Sequence, residues 1–569
     1  MKTNYEINTG CPLSEYPRPQ MRRDSYLCLN GYWQCAFTHN GEEPKEYPEK
    51  ILVPFSPETE TSGISRSLGP DESLWYRRTF DLPAAGNGSR FLLHFGAVDQ
   101  TAAVYVNGKL CEFHMGGYTP FTIDITPFVK KGSNELIVMA MDSTDKSWMS
   151  RGKQKTERGG IWYTPQSGIW KTVWLEAVPD VYIRQLIIRP LFDEGKLSVR
   201  AVTNKPVRVT VTAMDVAVIG ESDSELELRL PAGWKPWSPE EPVLYPMQIS
   251  AGNDRVESYF GMRKFAVEND AEGVPRLFLN NRPYFHTGVL DQGYYADTLL
   301  TAPCDQAMID DITLMKSMGY NTLRKHIKIE PLRWYYHCDR LGMLVWQDMV
   351  NGGETYTKIA TQMPALLSRI SVNDSCYSFF GRGDETGRKQ YYKELGDMLD
   401  HLVNCVSIAM WVPFNEGWGQ FDAEKAVAFI EARDTTRTID HASGWHDQRI
   451  GKTKSLHIYL RPYKFRKDRL GRAVMLTEFG GYSLREEGHC FNDKTYGYRG
   501  ESTREELLKD FRILYERDII RQKPMGLCAA IYTQLSDVED EVNGFITFDR
   551  EVVKIDPEEV RKLNEQLKD

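Results

Sequence analysis

The chain lacks several features that would assign its class at once. Its 569 residues contain no run of about 18 apolar residues, so nothing is expected to span a membrane. It has no basic surplus; the formal net charge of −9 argues against a nucleic-acid partner. Its ten cysteines include no CxxC pair, and a chain this long needs no disulfide framework. They read as reduced core thiols of a reducing compartment. The opening MKTNYEINTG has no apolar stretch of the secretory kind, so a cytoplasmic location is expected. What is present is ordinary in bulk, with 41% hydrophobic and 26% charged residues. Aromatics are plentiful at 12%, and such rings either fill cores or stack on sugars. The length calls for roughly two to four domains.

Residues 1–178 read as an all-β sandwich. Short alternating runs (Ser73–Phe80, Arg90–Phe95, Ala102–Val106, Glu135–Met141) are separated by turn signals at Pro83–Gly88, Asn107-Gly108 and Lys131-Gly132-Ser133. Asn107-Gly108 between two such runs predicts a hairpin. The closing segment Gly159–Val178 carries Trp162, Trp170 and Trp174, for which core packing is favoured over a sugar site. Residues 179–267 hold five further strand-length runs at the spacing of an immunoglobulin-like sandwich.

From 268 to 569 strands alternate with helices. The strand candidates are Tyr284–Leu290, Thr322–His326, Leu344–Asp348, Ser407–Phe414, His441–Trp445, Ser455–Leu460, Val474–Phe479 and Gly526–Gln534. Amphipathic helical periods fall at Asp305–Met318, Tyr391–Val403 and Thr503–Arg517. Eight such units suit a (β/α)8 TIM barrel, whose working groups stand where strands end. Those ends carry Arg324 and His326, Asp348, Asn415 and Glu416, Trp445 and His446, His457 and Tyr459, Glu478, and Tyr532 and Gln534. Two glutamates follow buried strands, which suits glycoside hydrolysis by paired carboxylates. Glu416, hemmed by Trp411 and Trp418, is the candidate for a raised pKa and the acid role. Arg324 could keep Glu478 ionised as nucleophile, with Asn415 on a sugar hydroxyl. The long connection Met349–Gly387 would cap the mouth.

The motifs LNGYW (Leu29–Trp33), WYRRTF (Trp75–Phe80), WSPEEPVLY (Trp237–Tyr245), GYNTLRKH (Gly319–His326), CDRLGMLVWQD (Cys338–Asp348), WVPFNE (Trp411–Glu416) and TEFGG (Thr477–Gly481) resemble glycoside hydrolase family 2 in content and order. That resemblance implies a jelly-roll sugar-binding-like domain, an immunoglobulin-like domain and a catalytic barrel. It also implies Glu416 as acid/base, Glu478 as nucleophile and net retention of a β-linkage. Ile327 and Lys328 depart from the family's pattern after His326, and Asn543-Gly544-Phe545 lacks the lysine of glucuronidases. A terminal β-galactoside is the first expectation, on family frequency; glucuronide, mannoside and pentoside stay open.

No acidic cluster is assignable to an ion, so no metal or cofactor is expected. The substrate expected is an oligosaccharide or small β-glycoside, and a homo-oligomer stays open. The basic run Arg461–Arg472 reads as a solvated loop before an acidic-sugar subsite. Two rival classes are weaker. A metal hydrolase built on His326, Asp348, His441, His446 and His457 lacks ligand-grade spacing. A non-catalytic carbohydrate-binding protein would not be expected to keep both glutamates.

Overall fold

The structure is a computed structural model that describes residues 1–83, 90–361, 363–366 and 371–568. Of the expected Pro83–Gly88 turn, all but Pro83 lies outside the described residues.

The N-terminal part is a two-sheet sandwich. A six-stranded antiparallel sheet runs, in spatial order, Glu49–Val53, Gly31–His39, Glu72–Phe80, Asn134–Met141, Thr101–Val106, Lys109–Met115. It faces a four-stranded sheet of Tyr26–Cys28, Val173–Val178, Arg90–Phe95 and Phe121–Asp124. Alternate residues such as Leu136, Val138 and Ala140 point into a core with Trp33, Tyr76 and Leu175. Asn107 (φ +49°) and Gly108 (φ +75°) make the two-residue turn that joins Thr101–Val106 to Lys109–Met115. Both positions need positive φ, which is why Asn-Gly marks such hairpins.

A second sandwich sets Ile183–Leu191, Lys196–Thr203 and Leu226–Arg229 against Val216–Glu221, Arg208–Ala213, Tyr245–Ala251 and Asp254–Phe260. The strand Val216–Glu221 was not anticipated. Its turn, Met214 (φ +49°) and Asp215 (φ +62°), uses the same left-handed conformation without the residues that advertise it.

Residues Phe265–Asn269, Pro275–Leu279 and Arg282–Pro283 form a small sheet, and the expected division at 267/268 runs through its first strand. Phe265, Leu277 and Leu279 plug the base of a barrel whose interior is filled by Leu290, Leu344, Trp346, Met410, Met475 and Ile531. The barrel strands are β1 (His286–Asp291), β2 (Thr322–Lys325), β3 (Leu344–Asp348), β4 (Ile408–Val412), β5 (Thr438–Ile439), β6 (Thr453–Ile458), β7 (Ala473–Gly480) and β8 (Leu527–Thr533). Every neighbouring pair except β5 and β6 is joined in parallel, and β8 closes onto β1. Between β5 and β6 there is no ladder; Thr453 Oγ1 donates to the Ile439 carbonyl at 3.0 Å, and Ser455 bonds Asp440. The fifth strand thus lies a few residues before the expected His441–Trp445, which is loop at the barrel mouth. The expected helices are present as α1 (Asp305–Ser317), α3 (Glu385–Leu402) and α5 (Arg504–Leu514), with α2 (Leu332–Leu341), α4 (Ala423–Glu431) and α6 (Pro557–Glu565) besides.

One buried cation ties the two sandwiches together. Arg23 donates to Glu176 Oε2 (2.9 Å) on the first and to Asp254 (2.9 and 2.7 Å) on the second. Removing it leaves the buried Asp254 without its cation, while Glu176 keeps Arg18 at 2.7 Å. Arg23→Met is expected to cost about 3–5 kcal/mol, read as a clear fall in the thermal unfolding midpoint; an unchanged midpoint would show that the clamp is dispensable.

Candidate active site

The polar ends of the barrel strands converge on Arg324. From β2 its fully buried guanidinium donates to both oxygens of Asp348 at the end of β3 (3.0 Å each). It also reaches Asn415 Oδ1 beyond β4 (2.7 Å) and Glu478 Oε1 on β7 (2.9 Å). His326 Nδ1 lies 2.9 Å from Asp348 Oδ2. A planar fork with several donors suits such a hub, because each acceptor is held at a set angle.

Glu478 faces the site because β7 bulges. Opposite β6, Leu456 pairs with Leu476 but His457 pairs with Glu478, so Thr477 is an extra residue. Strict alternation would bury Phe479 in the barrel and turn Glu478 outward; the bulge reverses this. Phe479 instead packs against Tyr515 and Tyr532 on the helical side. Glu416 is aimed by a different device. Its backbone is left-handed (φ +50°), and its N–H donates to the Ser443 carbonyl at 3.0 Å. Non-glycine residues held this way are uncommon and concentrate at working sites.

His457 stands between the two carboxyls. Its Nδ1 is 2.8 Å from Glu416 Oε1, and its Nε2 is 3.6 Å from Glu478 Oε1 and 3.1 Å from Ser443 Oγ. An oxygen of each glutamate and a ring nitrogen all lie within 4.8 Å of one another. Tyr459 donates to Glu478 Oε2, and its ring stacks on Tyr498 at 3.7 Å.

The surroundings push the pKa values of the two acids in opposite directions. Burial raises the pKa of Glu416, the His457 bond works against this, and the Glu478 charge adds to the rise. Burial acts on Glu478 too, but His457, Arg324, His326 and the Tyr459 hydroxyl overcome it and hold the group at about 2. Asn415 Nδ2, buried and without a partner among the described residues, is a donor left free beside the pair. The three groups are close enough to share a cation. Arg324 and Tyr459 already occupy both oxygens of Glu478, however, and the guanidinium would repel a second positive charge.

Of the residues expected here, Arg324, His326, Asp348, Asn415, Glu416, His457, Tyr459 and Glu478 come together, and Trp445 lies edge-on to His457 at 6.2 Å. Three are engaged elsewhere. Tyr532 packs between Phe479, Phe511 and Phe545 on the outer face of β8. His446 bonds the Ala360 carbonyl (2.7 Å) and the Val372 N–H (3.2 Å), bracing the 349–387 connection against the barrel. Gln534 bonds Gln292 and Asn543 in a buried amide chain. Within that connection, residues 362 and 367–370 lie outside the described residues. The basic run 461–472 is mostly exposed; only Arg472 is buried, paired with Asp447 and Asp468.

The site also draws on residues the barrel motifs did not point to. The loop 149–167 of the first sandwich reaches the mouth, where Trp162 meets Trp418 (5.2 Å) and Tyr356 (6.3 Å). Trp170 and Trp174 are buried, Trp170 in the cluster shared with the barrel and Trp174 stacked on His94, whereas Trp162 is only half-buried. Lys153 lies 5.3 Å over the Trp418 ring. No local signal marks these positions, because their partners belong to another domain.

Two family models match the chain: the sugar binding domain of glycosyl hydrolases family 2 over residues 55–179, and the TIM barrel domain of the same family over 275–472. A candidate β-glucuronidase of Formosa agariphila is 26% identical over 368 residues, covering 58% of this chain and 43% of that protein. A β-galactosidase of Thermoanaerobacter pseudethanolicus is 24% identical over 361 residues, covering 58% and 47%. The chain thus spans under half the length of either relative. The solved structure of an uncultured Clostridium β-glucuronidase superposes with a TM-score of 0.73 at 18% identity, covering 96% of this chain and 99% of that one.

The depressed pKa of Glu478 has a consequence for stability. Its folded value is below the ordinary 4.5, so its ionisation stabilises the fold above that pH, and the contribution is lost as pH falls toward about 2. Tyr459→Phe removes a donor and raises the folded value. The variant's deficit in thermal midpoint is expected to be largest near neutrality and to shrink toward about pH 3. A deficit independent of pH would count against the Tyr459 hydroxyl as a stabiliser of the anion.

Proposed function

Because the chain belongs to glycoside hydrolase family 2, we propose that it is a retaining, exo-acting β-glycosidase using Glu478 as nucleophile and Glu416 as acid/base. The observation that carries the reading is the pairing of a raised and a depressed carboxyl whose oxygens lie within 4.8 Å. Retaining enzymes space their carboxyls by about 5–5.5 Å, and inverting ones by about 6.5–9.5 Å to admit a water.

Ionised Glu478 attacks the anomeric carbon while Glu416 gives its proton to the departing glycosidic oxygen. The bond from Glu478 to the sugar removes the charge that helped keep Glu416 protonated. Glu416, now the weaker acid-holder, takes a proton from water as that water displaces the ester, and the β-configuration is restored. Asn415 Nδ2 is free to bond the hydroxyl beside the anomeric carbon, where contacts strengthen in the transition state. Trp162, Trp418 and Tyr356 wall one side, and the braced 349–387 connection covers another, which supports a pocket for a chain end. Among neutral sugars the β-galactoside remains the first choice, on family frequency.

The test is a panel of aryl β-glycosides. Glu478→Ala is expected to abolish turnover, with azide restoring it as the inverted glycosyl azide. Glu416→Ala should lower kcat by about 10²–10⁴-fold on poor leaving groups and far less on activated ones. A folded Glu478→Ala variant that still cleaves without azide would end the assignment.

A further inference from the structure

We propose that Lys153, carried to the barrel mouth by the N-terminal sandwich, reads an anionic group on the terminal sugar, so that the preferred substrate is a β-uronide rather than a neutral glycoside. This rests on the glycosidase reading above and assigns its specificity.

The position of Lys153 is built. Arg151 and Gly152 donate their N–H groups to the Asn351 carbonyl (2.9 and 3.1 Å), and the Arg151 guanidinium bonds the Gly353 carbonyl. The Lys153 carbonyl accepts from the Tyr163 N–H at 3.0 Å. The segment is therefore clamped to the connection that follows β3 on one side and to its own loop on the other. From there Nζ projects between two rings, 5.3 Å from the centroid of Trp418 and 5.5 Å from that of Tyr163. Trp418 follows Glu416 by two residues and also meets the His326 ring at 6.1 Å. The ammonium charge is felt at both Glu416 and His326.

The ammonium has no counter-ion among the described residues. Five lysines are buried among the described residues: Lys153, Lys171, Lys325, Lys328 and Lys554. Lys325 pairs with Asp291 and Glu330, Lys328 with Glu330, and Lys554 with Asp537; Lys171 donates to the Tyr118 carbonyl. Lys153 is 6% exposed, and its Nζ makes no hydrogen bond or ion pair among the described residues. The Nζ is not sealed from water; a sugar seated against it would displace that water, and two ring faces offset only part of the cost. A carboxylate on the sugar would complete the pair, whereas a neutral sugar would leave the charge uncompensated.

The same step serves the chemistry. Lys153 works against protonation of Glu416, the group that must donate a proton. A substrate carboxylate paired with Lys153 offsets that field, so the acid is better protonated when the right sugar is present.

The experiment compares 4-nitrophenyl β-glucuronide and β-galacturonide with the β-galactoside, β-mannoside and β-xyloside, using the full chain as wild type, Lys153→Met and Lys153→Arg. The wild type should favour a uronide over every neutral sugar by at least about 100-fold in kcat/KM. In Lys153→Met the uronide-to-galactoside ratio should fall by about 100-fold, chiefly through KM, and Lys153→Arg should keep most of it. A wild type that prefers a neutral sugar overturns the inference and leaves the glycosidase reading standing. An unchanged ratio in Lys153→Met overturns it as well, since a merely structural lysine would move both activities together. If Lys153→Met does not fold, the wild-type preference and Lys153→Arg decide. A folded wild type that cleaves none of the five takes both readings down.

Discussion

The buried guanidinium of Arg324 is the constraint on which the rest of the site depends. It has no exposure, and its donors are spent on Asp348, Asn415, Glu478 and the Thr477 carbonyl. A cation placed so deeply is tolerable only if its partners meet it in good geometry, because the loss of hydration must be matched group by group. Those partners come from the ends of β3, β4 and β7, so satisfying one charge fixes the relative positions of three strand ends. Below this layer the barrel is apolar, filled by Trp346, Met410, Met475 and Ile531. The polar layer is therefore a lid on an apolar plug, and neither can shift without the other.

That arrangement also explains why two glutamates in one cavity behave differently. Both are buried, and burial alone would raise both pKa values. Arg324 and Tyr459 touch only Glu478, so one carboxyl is committed to the charged form. Its negative charge then falls on Glu416, whose close polar partner is His457. The difference between the two groups is thus a matter of which one the guanidinium reaches. In the proposed mechanism the same field alternates: it is present while Glu478 is free and absent while Glu478 carries the sugar.

Much of this was legible in the sequence. Seven of the eight barrel strands overlap the expected segments, although only some of them, such as Ile408–Val412, are continuous apolar runs. The fifth does not, because Thr438–Ile439 is too short to form a run and the richer His441–Trp445 follows it. The residues at strand ends were read by position, and the structure brings Arg324, Asp348 and Asn415 into one cluster. The same reading fails for Tyr532, because a strand's last residues still alternate and this one faces the helices. Nor could position show that Glu478 faces inward; the bulge at Thr477 decides that, and pairing register leaves no trace in composition. His446 was read as a lining residue because it follows the expected fifth strand, yet its ring serves the backbone of the covering connection.

The most informative gap concerns Lys153 and Trp162. Both lie in a loop of the first sandwich, more than 250 residues from Glu416 in the chain; Lys153 sits in no pattern that suggests chemistry, and for Trp162 core packing was favoured over a sugar site. They matter because the sandwich docks by its loop: Gly152 and Arg151 bond Asn351, Tyr163 bonds Glu541, and Thr164 bonds Glu539. A module that merely tethered the protein to carbohydrate would present its rings to solvent, away from the barrel. Here the rings and the unpaired charge face the carboxylate pair instead. The barrel supplies the carboxylates on rigid strand ends, and the sandwich supplies the wall against which a sugar would be recognised. Specificity can then change by substitution in a loop whose backbone is fixed from both sides, without disturbing the guanidinium that holds the chemistry together.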